Sequence, residues 1–210
     1  MGQAMQQKTS QLLFNYWDVI RNGRLAPRRF EIEPAKIASI LPETFILECG
    51  GPLGYRFRLA GTRLCEQFGR EFRGLCMLDG WSDGDREALE TLLHNVVTEG
   101  AAGSVTFTAA TADERTAEFE MLVLPVIHAG RTVNRLLGSI TAVDTPYWLG
   151  AVPLTTQTMT SVNLIWPDGQ PWSLAEAAEQ PALATSFSRT VGDMHRQFRV
   201  YDGGLADRTE

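Results

Sequence analysis

The sequence predicts an α+β fold, with one domain over residues 43–146, an amphipathic N-terminal helix and linker in residues 1–42, and a partly ordered extension in residues 147–210. Three observations predict it. Two strand-like segments, several helical segments and three further strand-like segments follow one another in that order. The middle segment of the last three is apolar on one face throughout and turns apolar on the other halfway along, as a strand packed on both sides requires. The composition, 44 % apolar and 21 % charged, suffices for a packed core and excludes a chain disordered throughout.

Leu12, Leu13, Tyr16, Trp17, Val19 and Ile20 recur at helical spacing, with Ser10 as N-cap and Asn22-Gly23 as stop. A basic loop, residues 24–29, leads to Glu33-Pro34, which opens a short turn carrying Ile37, Ile40 and Leu41 and ended by Pro42. Residues 44–48 and 55–60 form a hairpin around Gly50-Gly51-Pro52-Leu53-Gly54, with Tyr55, Phe57 and Leu59 facing one way and Arg56 and Arg58 the other. Residues 62–78 hold short helical pieces broken by Gly69 and Gly74. Ser82-Asp83-Gly84-Asp85 then starts the strongest helix, acids at its N-terminal end and Gly100 after its last turn, with Leu89, Leu92, Leu93, Val96 and Val97 as its buried stripe.

Strands are expected at residues 104–109, 116–127 and 133–143. In the second of these, Phe119, Met121 and Val123 form one face. The other changes from Glu118 and Glu120, read as solvated, to Leu122, Leu124 and Val126. Leu136, Ile140 and Ala142 would extend that second apolar surface, which needs a cover; the helix around Trp17 supplies it, from this chain or a partner. Beyond Asp144-Thr145-Pro146 apolar groups thin out, and the remainder reads as a tail with ordered islands at residues 161–166, before the Pro167-Asp168-Gly169 turn, and 195–201.

A net charge of −6 argues against nucleic-acid binding, which needs excess Lys and Arg to displace counterions. No secretory signal or membrane-length apolar run is present, giving a cytoplasmic reading with no membrane partner. Cys49, Cys65 and Cys76 have no metal-site spacing and read as small core residues.

The order of elements, together with Ile32, Pro34, Leu41 and Pro42, then Arg56-Phe57-Arg58-Leu59-Ala60-Gly61-Thr62, Gly69-Arg70, Gly74 and Trp81, resembles the PAS domain. Within that fold it is similar to the single-PAS proteins of alphaproteobacteria, once catalogued as a domain of unknown function; the run Arg199-Val200-Tyr201-Asp202-Gly203-Gly204 looks like that family's chain end. The resemblance implies a five-stranded antiparallel sheet curved around helices, often with a small-molecule cavity, and frequent dimerisation through an N-terminal helix.

On that expectation the cavity would be lined by Phe57, Phe68, Trp81, Leu89, Leu93, Phe107, Phe119 and Met121, with Ser139 and Thr141 as polar contacts, although side chains at such spacings also fill cores. A dimer interface would take Leu13, Tyr16, Trp17, Ile20, Leu122 and Leu124. No cofactor is identifiable. His94, the histidine a haem ligand would need, lies about 100° round the helix from the inward Leu93. A reactive flavin thiol would follow Gly69-Arg70-Glu71, where Phe72 stands. Arg24 and Arg28 make half of a cyclic-dinucleotide motif whose other half is missing. His94, His128 and His195 are scattered, and no nucleophile elbow, metalloprotease helix or phosphate loop occurs. The expected function is a non-catalytic sensor or adaptor of bacterial signalling, homodimeric, binding a small molecule, a separate signalling protein, or both; the alternative is a haem- or flavin-bearing redox or gas sensor.

Overall fold

The structure, a computed structural model, describes residues 5–50 and 54–173, all within the compact unit Met1–Glu179. The tip of the first hairpin at residues 51–53, the island at 195–201 and His195 lie outside the described residues.

Helix α1, Lys8–Arg21, turns Leu13, Trp17 and Arg21 inward at a spacing of four. Its N-cap is Gln7 rather than Ser10, which sits buried within the first turn. Asn22 ends it in the left-handed conformation (φ 49°), a position asparagine tolerates, and the three 3₁₀ turns Arg29–Glu31, Pro34–Ile37 and Leu41–Glu43 follow.

Strands β1 (Thr44–Cys49) and β2 (Tyr55–Ala60) make the first hairpin; helices α2 (Thr62–Phe68) and α3 (Asp83–Glu99) come next. Strands β3 (Ala102–Thr111), β4 (Thr116–Val126), β5 (Arg135–Ala142) and β6 (Leu154–Ile165) complete one antiparallel sheet of order β2-β1-β5-β4-β3-β6. It has six strands, not five. The sixth is drawn from residues read as a tail: most of its outward positions are Thr, Ser or Asn, so the fall in hydrophobicity concealed it, although threonine suits an edge strand. Its outer edge is partly sealed by the carbonyl of Gly80, which accepts from Gln157 N–H at 3.0 Å, and by the Asp85 carboxylate, which accepts from Met159 N–H at 3.1 Å.

Each face of the sheet has its own core. On one, Leu89, Leu92, Leu93 and Val96 of α3 and Leu64 and Phe68 of α2 pack against Phe45, Phe107, Phe119, Met121, Leu136, Ile140 and Ala142. On the other, Leu13 and Trp17 of α1 and Ile32, Ile37 and Ile40 of the 3₁₀ segments pack against Leu122, Leu124, Val126 and Leu137. Leu136, Ile140 and Ala142 therefore belong to the α3 face, and Leu137 serves α1: the register of β5 is one residue away from that expected, which exchanges the two faces of a strand.

The hairpin carries a second departure. Ile46 pairs with Leu59 but Leu47 pairs with Phe57, so Arg58 is an extra residue in β2. The bulge breaks the alternation: Phe57 enters the α3 core, whereas Leu59 joins Ile46 on the α1 face, 49 % exposed.

Gly138 of β5 has no room for a side chain, since a Cβ there would lie 2.2 Å from the Phe45 ring of β1 and 2.4 Å from the Leu122 carbonyl oxygen of β4. Gly138→Ala is expected to cost about 1–3 kcal/mol in urea unfolding. Gly84→Ala, in the first turn of α3 with nothing within 4 Å, is expected to leave stability unchanged or raise it by up to about 1 kcal/mol.

Candidate functional site

Three regions collect the residues singled out by sequence. The first is the interior between α2, α3 and the sheet. Phe57, Phe72, Phe68, Phe119 and Phe107 form a continuous chain of rings, with successive centroids 4.8, 5.3, 5.1 and 5.4 Å apart, and Trp81 stands 5.1 Å from Phe107. A gap of about 20 Å³, room for a single water, remains between Phe57, Phe68, Phe72, Met77, Ile140 and Arg70. Of the residues expected to line a cavity, Phe57 and Phe68 reach this gap, while Trp81, Leu89, Leu93, Phe107, Phe119 and Met121 are packed into the core around it.

Ser139 and Thr141 do not face this interior. They alternate with Ile140 and point to the α1 side, where Ser139 Oγ is buried without a hydrogen-bond partner among the described residues and Thr141 Oγ1 donates to Glu43 Oε2 at 3.3 Å. Arg70 is the residue the sequence reading missed. Its guanidinium lies 4.9 Å from the Phe72 centroid and 5.9 Å from that of Phe68. Burial lowers its pKa, Asp79 opposes that shift, and Nε is buried without a partner among the described residues.

Burial pushes the Cys49 thiol up to about 12 and also raises Cys65, so neither is a ready thiolate. Phe72 is buried among the aromatic rings, and His94 is exposed on α3. Among the described residues no group of three or more His, Cys, Asp or Glu side chains could hold a metal ion. Arg24 and Arg28 form no phosphate fork: Arg24 donates to the carbonyls of Ile20 and Arg21, both at 2.8 Å, and pairs with Glu31, so it closes the end of α1.

The second region is the seat of α1. Leu13, Trp17, Leu122 and Leu124, expected at a dimer interface, are fully buried within one chain, and Tyr16 and Ile20 are half-buried beside them. Glu120 is buried, not solvated. Its carboxylate accepts from the N–H groups of Gln6 at 2.6 Å and Gln7 at 3.1 Å, binding the positive end of the α1 dipole to β4. Near the other end of the helix, Trp17 Nε1–H donates to the Pro125 carbonyl at 2.8 Å. Glu43 adds a third tie, accepting from Thr9 of α1, Arg63 of α2 and Thr141 of β5.

Past β6, Asp168 reaches back to α1. Both its oxygens accept from the Arg21 guanidinium at 2.8 Å, and Arg21 also pairs with Asp18 and lies over the Trp17 ring. Burial works to lower the Arg21 pKa, but hydrogen bonds to Asp168 and Asp18 outweigh it and leave it raised; the bond to Arg21 in turn holds Asp168 below its usual range.

The third region is a groove on the α1 side of β1 and β2, which α1 does not cover. Its apolar part, about 390 Å³, has Ile46, Leu59 and Leu137 along its floor and Ile32, Ile37 and Leu41 along its wall. It runs into a second part of about 390 Å³ lined by Arg29, Arg58, Arg73, Arg135 and His128, and Arg29, Ile46 and Leu59 line both. His128 comes from the β4–β5 hairpin, and Arg29 is brought alongside by its N–H bond to the Ile127 carbonyl at 2.8 Å.

The family described as "PAS domain" matches residues 5–141, from α1 to the end of β5 and short of β6. No curated protein matches the chain. Among solved structures, a substituted form of RsLOV is similar with a TM-score of 0.41 and 13 % identity, over 52 % of this chain and 66 % of that one, less than two thirds of its length. The LOV protein of Rhodobacter sphaeroides gives a TM-score of 0.40 and 14 % identity over 55 % and 71 %. Among the described residues no helix is long and apolar enough to cross a membrane.

Removing the Glu120 carboxylate leaves two amides at the start of α1 without their acceptor. Glu120→Ala is expected to cost about 1–3 kcal/mol, with amide exchange accelerating in α1 before the rest of the chain, and Glu120→Gln, which keeps one acceptor, to cost less. The Arg21–Asp168 pair gives stability a definite pH dependence. Because the folded-state pKa of Asp168 is depressed, its contribution is complete above the unfolded value and is lost as pH falls through the folded one. In urea titrations over the acid range, Asp168→Asn is expected to lose stability relative to the parent at neutral pH and to converge with it in acid.

Proposed function

Because the chain belongs to the PAS domain family, a family of sensor modules in signalling proteins, we propose that it is a non-catalytic sensor or adaptor that works as a homodimer and passes its signal by docking to a separate regulator. The observation that carries this reading is the filled interior: a gap of about 20 Å³ holds no metabolite unless the Phe57, Phe72 and Phe68 rings part, so the surfaces carry the exchange with other molecules. A haem or flavin would need the same rings to separate.

The homodimer is assigned to the outer face of α1. Leu13 and Trp17 are spent on the chain's own sheet, but Leu12 and Val19, seven residues apart and therefore nearly eclipsed on a helix, remain 43 % and 77 % exposed, with Tyr16 half-buried between them. Packing this stripe against a second copy is the ordinary way to cover an apolar helix face. Signalling then follows from the seat of α1: a regulator or small molecule that favours one packing of helix on sheet shifts the population toward it, and the bonds from Glu120 and Trp17 set how much differential affinity the shift requires.

Light scattering of the purified chain is expected to give a dimer, and Val19→Asp, which leaves both cores intact, to give a folded monomer. A parent chain that is monomeric, or a variant that stays dimeric, removes this face from the interface.

A further inference from the structure

The groove beside β1 and β2 combines apolar and cationic chemistry in one continuous surface. We infer that it is the docking site for an acidic amphipathic segment of a partner protein, which lays its apolar side on Ile46, Leu59 and Leu137 and sets its carboxylates against Arg29, Arg58 and Arg73. The inference rests on the adaptor reading and names the surface and the partner chemistry through which docking occurs.

The bulge at Arg58 is the local cause. In an unbroken strand Arg58 and Leu59 would lie on opposite faces; here both line the same groove, the arginine at its basic part and the leucine at the junction with the apolar part. Leu59 is 49 % exposed, and Phe30, next to Arg29 in sequence, is 78 % exposed. The edge of β2 is also incompletely covered. Residues 74–77 bond to Tyr55 and Phe57, whereas no such bond reaches Leu59 or Ala60 among the described residues.

Charge decides the occupant. None of the residues lining either part is acidic. Arg135 has Glu48 at 3.0 Å, but among the described residues Arg29, Arg58 and Arg73 form no ion pair. This cluster is a local inversion on a chain of net charge −6. A long polyanion or an anionic bilayer meets the negative remainder of the surface as well as the patch, whereas a short acidic segment meets the patch alone. Shape points the same way. The groove lies open to solvent along Arg58, Leu59 and Arg73, so it does not enclose a small ligand but accommodates one face of a helix.

The test uses the full chain and two fluorescein-labelled helical peptides with leucine along one face and either glutamate or lysine along the other, followed by anisotropy. The glutamate peptide is expected to bind, to weaken at least tenfold against Arg58→Glu/Arg73→Glu, to weaken by an intermediate amount against Arg58→Gln/Arg73→Gln, and to weaken with added salt, while the lysine peptide does not bind. Circular dichroism and the midpoint of urea unfolding establish that both double variants are folded; the glutamine pair keeps the test open if the reversed pair is not.

Equal binding of the two peptides, or unchanged binding by both double variants, overturns the inference. So does phosphatidylglycerol-vesicle binding with the same dependence on Arg58 and Arg73, which assigns the groove to lipid. A double variant that turns a dimer into a monomer assigns the groove to a second copy and overturns it too. If neither peptide binds while the chain remains a dimer that Val19→Asp splits, the groove inference falls and the adaptor reading stands.

Discussion

Strand β4 is buried on both faces from Met121 to Val126, and the rest of the molecule is arranged around that constraint. A strand apolar on both sides must be covered on both sides. On one side α3 supplies Leu89, Leu92, Leu93 and Val96; on the other α1 supplies Leu13 and Trp17. Burying a side chain of that size stabilises the fold by about 1.5–3 kcal/mol, which fixes that α1 packs but not where it stops along the strand. Position is set by polar bonds: Glu120 meets the first amides of the helix, and Pro125 offers its carbonyl to Trp17. Pro125 lies beyond the last β3–β4 pair, Gly103 with Val123, so a residue without an N–H takes nothing from that ladder.

Covering β4 leaves β1 and β2 with less. Helix α1 reaches Leu122, Leu124, Val126 and Leu137, while the 3₁₀ turns that follow shield the neighbouring strands only along one wall, so Ile46 and Leu59 remain at the floor of a groove. The same economy acts at the other end of the sheet. Strand β6 joins as an edge, and Asp168 just beyond it returns to Arg21 at the end of α1. The two ends of α1 are thus tied to residues that lie far apart in the chain, which makes the seating of this helix a property of the whole sheet.

What the sequence disclosed and what it hid divide along physical lines. Periodic burial was legible: Leu89, Leu93 and Val96 on α3, the switch of β4 from Glu118 to Leu122, and the Asn22 stop of α1 are each local patterns with one solution. The features that were not legible are register and satisfaction of polar groups. One residue of slip in β5 moved Ser139 and Thr141 out of the interior and Leu137 under α1, and one bulged residue in β2 moved Leu59 between faces; neither has a local signature in the side chains. Glu120 looks like any outward carboxylate until the amides of Gln6 and Gln7 arrive from a segment 114 and 113 residues away. Phe57, Phe68, Phe107 and Phe119 are buried, but whether such residues line a space or fill it depends on ring packing at the scale of ångströms.

The central claim is that α1 covers the sheet of its own chain, with Leu13 and Trp17 packed on Leu122 and Leu124. Amide hydrogen exchange across Lys8–Arg21, measured over a dilution series of the purified chain, tests it most directly. The claim predicts protection of the α1 amides that does not change with concentration, because Glu120 and Pro125 bind the helix from within the same chain. Protection of α1 that disappears on dilution while α3 stays protected would show that the cover comes from a partner, and would contradict it.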